Sequence, residues 1–258
     1  MSVSANGDNL KLGRGALFVR RYDASGDLLA YQEFIGNCTA LELTSTNEPR
    51  EKYSSTEQSS PLLDRRSIRQ GYSFVAACDE HTKENLALFM SGTLSTRAQV
   101  LDSSGGPVVI TGALAGKWYD LGYQGITNVV VTTGSVTHVS GTDYTVDSES
   151  GFLYVMPAGG AVGDTISVAF DVPARTYDVV RGGKSVSPNV KLIYIADDAN
   201  TDGVGARDRV TVWKASVAPE GSYPFIGDDY SGFSLAFSVL SDAANHPDEP
   251  FFILERAQ

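Results

Sequence analysis

Apolar and polar residues alternate in short runs along most of this chain, and turn-forming residues separate the runs. The last quarter shows the pattern most clearly, because apolar segments begin at Val190, Arg209, Phe233 and Pro250 with acidic or glycine-containing turns between them. A period of two places successive side chains on opposite faces, which is typical of half-buried β-strands. The pattern therefore predicts an all-β fold, a β-sandwich or barrel of antiparallel strands.

A long polar stretch interrupts this pattern in the amino-terminal half. Alternating segments at 16–22, 28–34 and 38–44 predict strands, and a longer apolar strand is expected over 68–78. Between the last two lies 45–67, which is rich in Ser, Thr and charged residues. Because loops longer than about 12–15 residues in compact domains are usually functional or disordered, we expect this stretch to be a functional loop.

One helix is predicted, between Thr82 and Gly92. Leu86, Phe89 and Met90 fall on one helical face. Thr82 can cap the amino terminus by accepting a hydrogen bond from a first-turn N–H, and Gly92 is expected to adopt the left-handed conformation at C′. The apolar face is therefore predicted to pack against a sheet as a flanking helix.

The composition changes in the middle of the chain. Residues 117–178 are rich in Val, Thr, Gly and Asp and nearly free of Lys and Arg. Short apolar segments there have the spacing of a small β-sandwich or meander. We therefore predict that 117–178 form an inserted β subdomain, and that 1–116 and 179–258 together form the main sandwich.

Composition and charge narrow the classes of function. With 258 residues, 42% hydrophobic and 20% charged, the chain can bury a core as a globular protein. Its formal net charge of −11 disfavours wrapping around nucleic acid, because phosphate contacts need Lys and Arg. No stretch approaches the roughly 18 apolar residues of a membrane helix, and the first ten residues lack the features of a signal peptide. We therefore expect synthesis in the cytoplasm and no membrane partner.

Two stretches are partly similar to ligand-binding loops. Residues 198–203 have the alternating oxygen donors of a calcium loop, but Arg209 stands where a bidentate Glu should follow. Residues 181–185 are superficially similar to a phosphate loop, but Pro188 follows shortly instead of a helix. We interpret the first as an acidic turn and the second as a chance match, so no metal or cofactor is expected.

The remaining candidate chemistry involves His and Cys. His81, His138 and His246 show neither metal-ligand spacing nor an accompanying nucleophile motif, and we expect them to be exposed in loops. Cys38 and Cys78 fall in predicted strands, and we expect buried reduced thiols, with a disulfide possible only if the two strands are neighbours. No catalytic residue is predicted, so we do not expect an enzyme.

Six short motifs occur in a definite order along the chain. They are Gly36-Asn-Cys38, Glu51-Lys-Tyr-Ser-Ser55, Glu84-Asn-Leu-Ala-Leu88 closed by Gly92, Trp118-Tyr-Asp-Leu-Gly122, Gly141-Thr-Asp-Tyr144 and Phe225-Ile-Gly-Asp-Asp229. Their order, together with the predicted strands and helix, resembles the tail tube proteins of long-tailed bacteriophages. The resemblance covers most of the chain.

The resemblance implies a structural virion protein that assembles with itself. Subunits would form hexameric rings stacked into a tail tube, and the phage genome would pass through an acidic or neutral lumen without specific binding. Other phage tail proteins would be the further partners, and 117–178 would lie on the outer wall. The loop 45–67 would contact the next ring. Its implied contact residues are Arg50, Glu51, Lys52, Tyr53, Arg65 and Arg66.

Two alternatives stay open. One is a carbohydrate-binding or adhesion β-sandwich that uses exposed aromatic residues, for which Trp118 and Trp213 are candidates. The other is a different ring-forming virion tail protein, a terminator or a baseplate component.

Overall fold

The computed structural model describes residues 13–23, 25–184, 188–197 and 207–256. In chain order the elements are β1 (Gly15–Arg21), β2 (Glu33–Phe34), β3 (Cys38–Tyr53), β4 (Leu62–Cys78), α1 (Lys83–Phe89), β5 (Thr93–Gln99), β6 (Asp102–Ile110), β7 (Trp118–Asp120), β8 (Thr127–Thr133), β9 (Val136–Thr137), β10 (Tyr144–Asp147), β11 (Phe152–Val155), β12 (Ile166–Val172), β13 (Arg175–Arg181), β14 (Asn189–Ala196), β15 (Arg209–Glu220), β16 (Phe233–Val239) and β17 (Phe252–Glu255). The all-β prediction is confirmed, with α1 as the helix of the described residues.

The chain divides into two compact units. The first combines the residues up to Leu94 with those from Val180 onward, and the second is Ser95–Val179. The second unit therefore begins earlier than residue 117, the start predicted from composition. The reason is strand pairing, because β6 pairs with β12 and β5 pairs with β13.

An open eight-stranded sheet forms the first unit, and it is not closed into a barrel within the described residues. Its order is β2-β1-β14-β15-β16-β4-β3, and β17 pairs with β15 beside β16. Phe233, Leu235 and Phe237 of β16 are buried while Ser234 and Ala236 between them are not, as the alternating sequence requires. These side chains pack with buried residues of β1, β4, β14 and β15 in one core.

Helix α1 packs against β15 and β16, which confirms the predicted flanking helix. The Thr82 side chain accepts a hydrogen bond from the Asn85 N–H at 3.2 Å. The predicted position of Gly92 was wrong by one residue, because Ser91 takes the positive φ of 46° at C′. The Gly92 N–H instead donates to the Ala87 carbonyl at 2.7 Å, and a Cβ there would lie 2.9 Å from the Arg181 carbonyl oxygen.

The second unit consists of two sheets that face one core, together with the β5–β13 pair. The sheets have the orders β6-β12-β8-β9 and β10-β11-β7. Ile166, Val168 and Phe170 of β12 are buried against Leu153 and Val155 of β11. The result is a small β-sandwich, one of the two arrangements, sandwich or meander, that the strand spacing of 117–178 suggested.

Candidate functional site

The main candidate site is the distal part of the β3–β4 hairpin, residues 42–70, which we call the arm. The two strands have 16 and 17 residues, and their register runs from Cys38 opposite Cys78 to Tyr53 opposite Leu62. Every residue of the arm is exposed except Ser54. The loop predicted over 45–67 was wrong in its secondary structure, because most of it lies in these paired strands. It stands away from the first unit's core as an extended hairpin.

Backbone hydrogen bonds close the tip of the arm. The Ser54 N–H donates to the Pro61 carbonyl at 2.9 Å, and the Ser54 and Thr56 hydroxyls lie 3.0 Å apart. Ser54 is buried within this turn. The tip is thus a defined turn that keeps β3 and β4 in register.

The six predicted contact residues lie close together at the distal end of the arm. Arg50 is opposite Arg66, and Glu51 is opposite Arg65, with 3.4 Å between the Glu51 Oε1 and Arg65 Nε atoms. The Tyr53 hydroxyl donates to the Glu51 carboxylate at 2.6 Å, and this hydrogen bond raises the pKa of Tyr53. Exposed ion pairs of this kind add little stability, about 0–1 kcal/mol each. The cluster is therefore a charged surface rather than a structural brace.

Lys52 is the remaining predicted contact residue, and it lies opposite Asp64. The Asp64 carboxylate also pairs with Arg66 at 2.9 Å. Over the whole arm, basic and acidic side chains are equal in number: Arg50, Lys52, Arg65, Arg66 and Arg69 against Glu42, Glu48, Glu51, Glu57 and Asp64. The arm is thus formally neutral, and the net charge of −11 belongs to the rest of the chain.

Besides Tyr53, the arm exposes large apolar side chains that were not among the predicted contact residues. They are Leu43, Leu62, Leu63 and Ile68. The register passes from Glu48–Arg69 to Pro49–Ser67 and from Lys52–Asp64 to Tyr53–Leu62, so Ile68 and Leu63 have no cross-strand partner. Such β-bulges twist an exposed edge and limit uncontrolled pairing. In the sequence, these exposed side chains can be seen as isolated apolar residues in an otherwise polar stretch.

A second exposed apolar surface lies in the loop between β15 and β16, residues 221–232. Phe225 is 80% exposed, Ile226 is 96% exposed and Tyr230 is fully exposed. His81 anchors the loop, because its ring contacts the Tyr223 hydroxyl at 3.0 Å and the Ser231 carbonyl at 2.8 Å. The loop thus presents apolar side chains from a fixed base.

The expectation of exposed loop histidines was wrong. His138 is buried, with Nε2 2.8 Å from the Thr133 hydroxyl and Nδ1 3.6 Å from the Asp143 carboxylate. Hydrogen bonds from the Val139 and Gly160 N–H groups lower the pKa of Asp143. His81 and His246 are partly buried, and the His246 ring stacks on Trp213 with 3.6 Å between ring centroids. All three histidines have partners that hold local structure.

The other sequence candidates yield no ligand site. Residues 198–203 and 185 lie outside the described residues. The twelfth position of the calcium pattern, Arg209, begins β15, and Asn189, which follows the phosphate-like stretch, begins a strand. Among the described residues, no group of three or more His, Cys, Asp or Glu side chains could hold a metal ion. In the same part of the chain, no helix is long and apolar enough to cross a membrane.

These features define an all-β protein with an open antiparallel sheet, a projecting hairpin arm and a second β unit within the chain. The chain belongs to the family described as Protein of unknown function UCP028589, whose model matches residues 10–251. The match spans both units. A comparison with curated proteins finds no match.

Proposed function

We propose that this protein is a structural virion protein, the subunit of a bacteriophage tail tube. Copies assemble into hexameric rings, the rings stack, and the phage genome passes through the lumen. The observation that carries the proposal is the arm, a long hairpin with exposed apolar side chains whose residues 42–70 pair with no strand other than each other among the described residues. Exposed apolar side chains grouped on one element mark a surface that binds another protein surface.

The edge of the sheet supports the proposal. Strand β3 pairs only with β4 among the described strands, so the backbone N–H and C=O groups on its other edge are available to another chain. Addition of a neighbour's strand would bury these groups and extend the sheet from one copy to the next. Repetition of one such contact around a rotation axis produces a ring.

Charge also favours assembly between copies. The neutral arm can approach the acidic remainder of a neighbouring copy without net repulsion between like charges. The net charge of −11 favours passage of DNA without binding, because phosphate contacts need excess Lys and Arg. The genome is therefore cargo of the tube rather than a specific ligand.

Assembly can be tested with the purified full-length protein. We expect the fraction of rings and stacked tubes to rise with protein concentration in analytical ultracentrifugation and negative-stain microscopy. A protein that stays monomeric from micromolar to millimolar concentration would contradict the proposal. Closed rings that never stack would instead favour a terminator or baseplate component.

A second candidate function rests on the outward face of the β10–β11–β7 sheet. Leu153 and Val155 face the core, so Phe152 and Tyr154 point outward. Tyr154 lies opposite Trp118, which is 57% exposed, and the two ring centroids are 4.9 Å apart. Asp120 and Asp147 lie opposite Phe152 on either side. Aromatic rings beside carboxylates offer apolar faces and hydroxyl-accepting oxygens, a combination suited to carbohydrate.

Isothermal titration with neutral hexasaccharides of glucose and of N-acetylglucosamine tests this second function. If it holds, Trp118→Ala weakens binding about fivefold, because one ring–ligand contact contributes on the order of 1 kcal/mol. Val136→Ser, at an exposed position on β9, is the matched control and should bind like the unchanged protein. Absence of heat with every oligosaccharide at millimolar concentration excludes this function.

A further inference from the structure

Cys38 and Cys78 lie directly opposite each other where the β3–β4 hairpin joins the sheet. They are register partners, and their Sγ atoms are 2.7 Å apart. Cys38 is partly exposed, whereas Cys78 is 2% exposed. Both are free thiols in this structure. The open question of whether their strands are neighbours is thus answered, and the two sulfur atoms already face one another.

The backbone around the pair has the geometry of a cross-strand disulfide. The Asp79 N–H donates to the Asn37 carbonyl at 3.2 Å, so one ladder hydrogen bond joins these residues, while the Asn37 N–H donates to the Glu80 carboxylate. Cys38 and Cys78 are the next pair and therefore occupy a non-hydrogen-bonded position, where Cα atoms lie about 4.5 Å apart. Disulfides span Cα separations of about 4.4–6.8 Å, so no large backbone movement is needed.

We infer that Cys38 and Cys78 form an oxidation site that becomes an intramolecular disulfide when the folded protein meets a low-molecular-weight disulfide such as oxidised glutathione. The bond closes a covalent ring around the whole arm at its base. It fastens β3, the edge strand, to β4 at the point where the hairpin leaves the core. The site is independent of the proposed assembly and of its partners.

The two sulfur atoms differ in the way that thiol–disulfide exchange requires. The hydrogen bond with Cys78 lowers the pKa of Cys38, whereas that contact and burial raise the pKa of Cys78. Cys38 also borders an open cavity of about 710 Å³, through which a small disulfide can approach. The partly exposed, more acidic thiol therefore reacts first, and the buried thiol resolves the intermediate.

The exchange proceeds in two balanced steps. The Cys38 thiolate attacks one sulfur of oxidised glutathione, whose S–S bond breaks, and one glutathione leaves as a thiolate that takes up a proton. Cys78 then loses its proton and attacks the Cys38 sulfur of the mixed disulfide, which releases the second glutathione. Two protein thiols are oxidised to one disulfide, and one molecule of oxidised glutathione is reduced to two of glutathione.

Thiol counting by mass spectrometry tests the site. The folded protein is incubated with oxidised glutathione without denaturant, quenched with acid, then unfolded and alkylated with iodoacetamide. We expect the unchanged protein to carry neither alkyl groups nor glutathione and to remain a single chain. Retention of two alkylated thiols, a stable glutathione adduct or a disulfide-linked dimer would overturn the inference.

Single variants test the order of reaction. Cys78→Ala should accumulate one glutathione on Cys38, because no resolving thiol is present. Cys38→Ala should leave Cys78 free for alkylation after unfolding, because the buried sulfur is shielded in the folded protein. Both variants should keep the far-UV circular dichroism spectrum of the unchanged protein. Equal glutathione labelling of the two variants would contradict the assigned roles.

Discussion

Replacement of residues 48–69 by a two-residue Asn-Gly turn is expected to abolish rings and tubes and leave a folded subunit. Asn47 and Gln70 are register partners, so a tight hairpin turn can join them. Only Ser54 among the removed residues is buried, and it is buried within the arm's own tip. Loss of exposed residues should change stability by about 1 kcal/mol or less. Circular dichroism and thermal melting measure folding, and sedimentation measures assembly.

Point variants distinguish the contribution of the arm's exposed apolar side chains to assembly from the contribution of its length. Leu63→Ser and Ile68→Ser together keep the hairpin but remove two exposed apolar side chains, and we expect them to shift assembly to at least tenfold higher protein concentration. Val100→Ser removes an apolar side chain that is more exposed than either of these but lies outside the arm. That control should assemble normally. Unimpaired tubes from the arm replacement would refute the role proposed for the arm.

The alternating strands of the first unit could be predicted because one of their faces is buried. In β16, Phe233, Leu235 and Phe237 alternate with smaller residues in the sequence, and the same three side chains lie in the core. The helix was predictable from its cap, since Thr82 acts within one short segment; of the predicted face Leu86, Phe89 and Met90, however, only Phe89 is buried, together with Asn85, Ala87 and Leu88. Local signals were sufficient wherever burial or capping depends on neighbouring residues.

The arm could not be recognised as strands for the opposite physical reason. Neither of its faces is buried, so its sequence has no apolar alternation over 45–67. Its strand conformation comes from pairing between β3 and β4, which is a property of the two segments together. The resemblance to tail tube proteins implied a contact loop there, but the bulges at Leu63 and Ile68 follow only from the register.

The candidate chemistry was also hidden by register and long-range contact. The Cys38–Cys78 pair depends on a register that shifts between Cys38 and Ala40, which no spacing rule can locate. The burial of His138 depends on Thr133, which the β8–β9 hairpin brings to its ring, and on Asp143, which the turn after β9 brings there. Residue types could thus be singled out from the sequence, but their partners could not.

The boundary of the second unit gives the sharpest test of the domain organisation, because two deletions predict opposite outcomes. Removal of 95–179 should leave a soluble, folded first unit when Leu94 and Val180 are joined by a short turn. The two ends are close, since the Ser95 hydroxyl lies 3.5 Å from the Val179 carbonyl oxygen. Sedimentation and circular dichroism of the purified product measure the result.

Removal of 117–178, the insertion expected from composition, should instead give mostly insoluble protein. It retains β5 and β6 but deletes β12, the partner of β6, and the first four residues of β13, the partner of β5. Val108 and Ile110 of β6 would then lose the side chains that cover them, and an unpaired apolar edge strand promotes aggregation.

Residues 95–179 expressed alone should fold, because they contain their own buried core. If both deletions were soluble, β5 and β6 would not depend on their pairing partners in 117–178, and an insoluble 95–179 deletion would show that the first unit depends on the second.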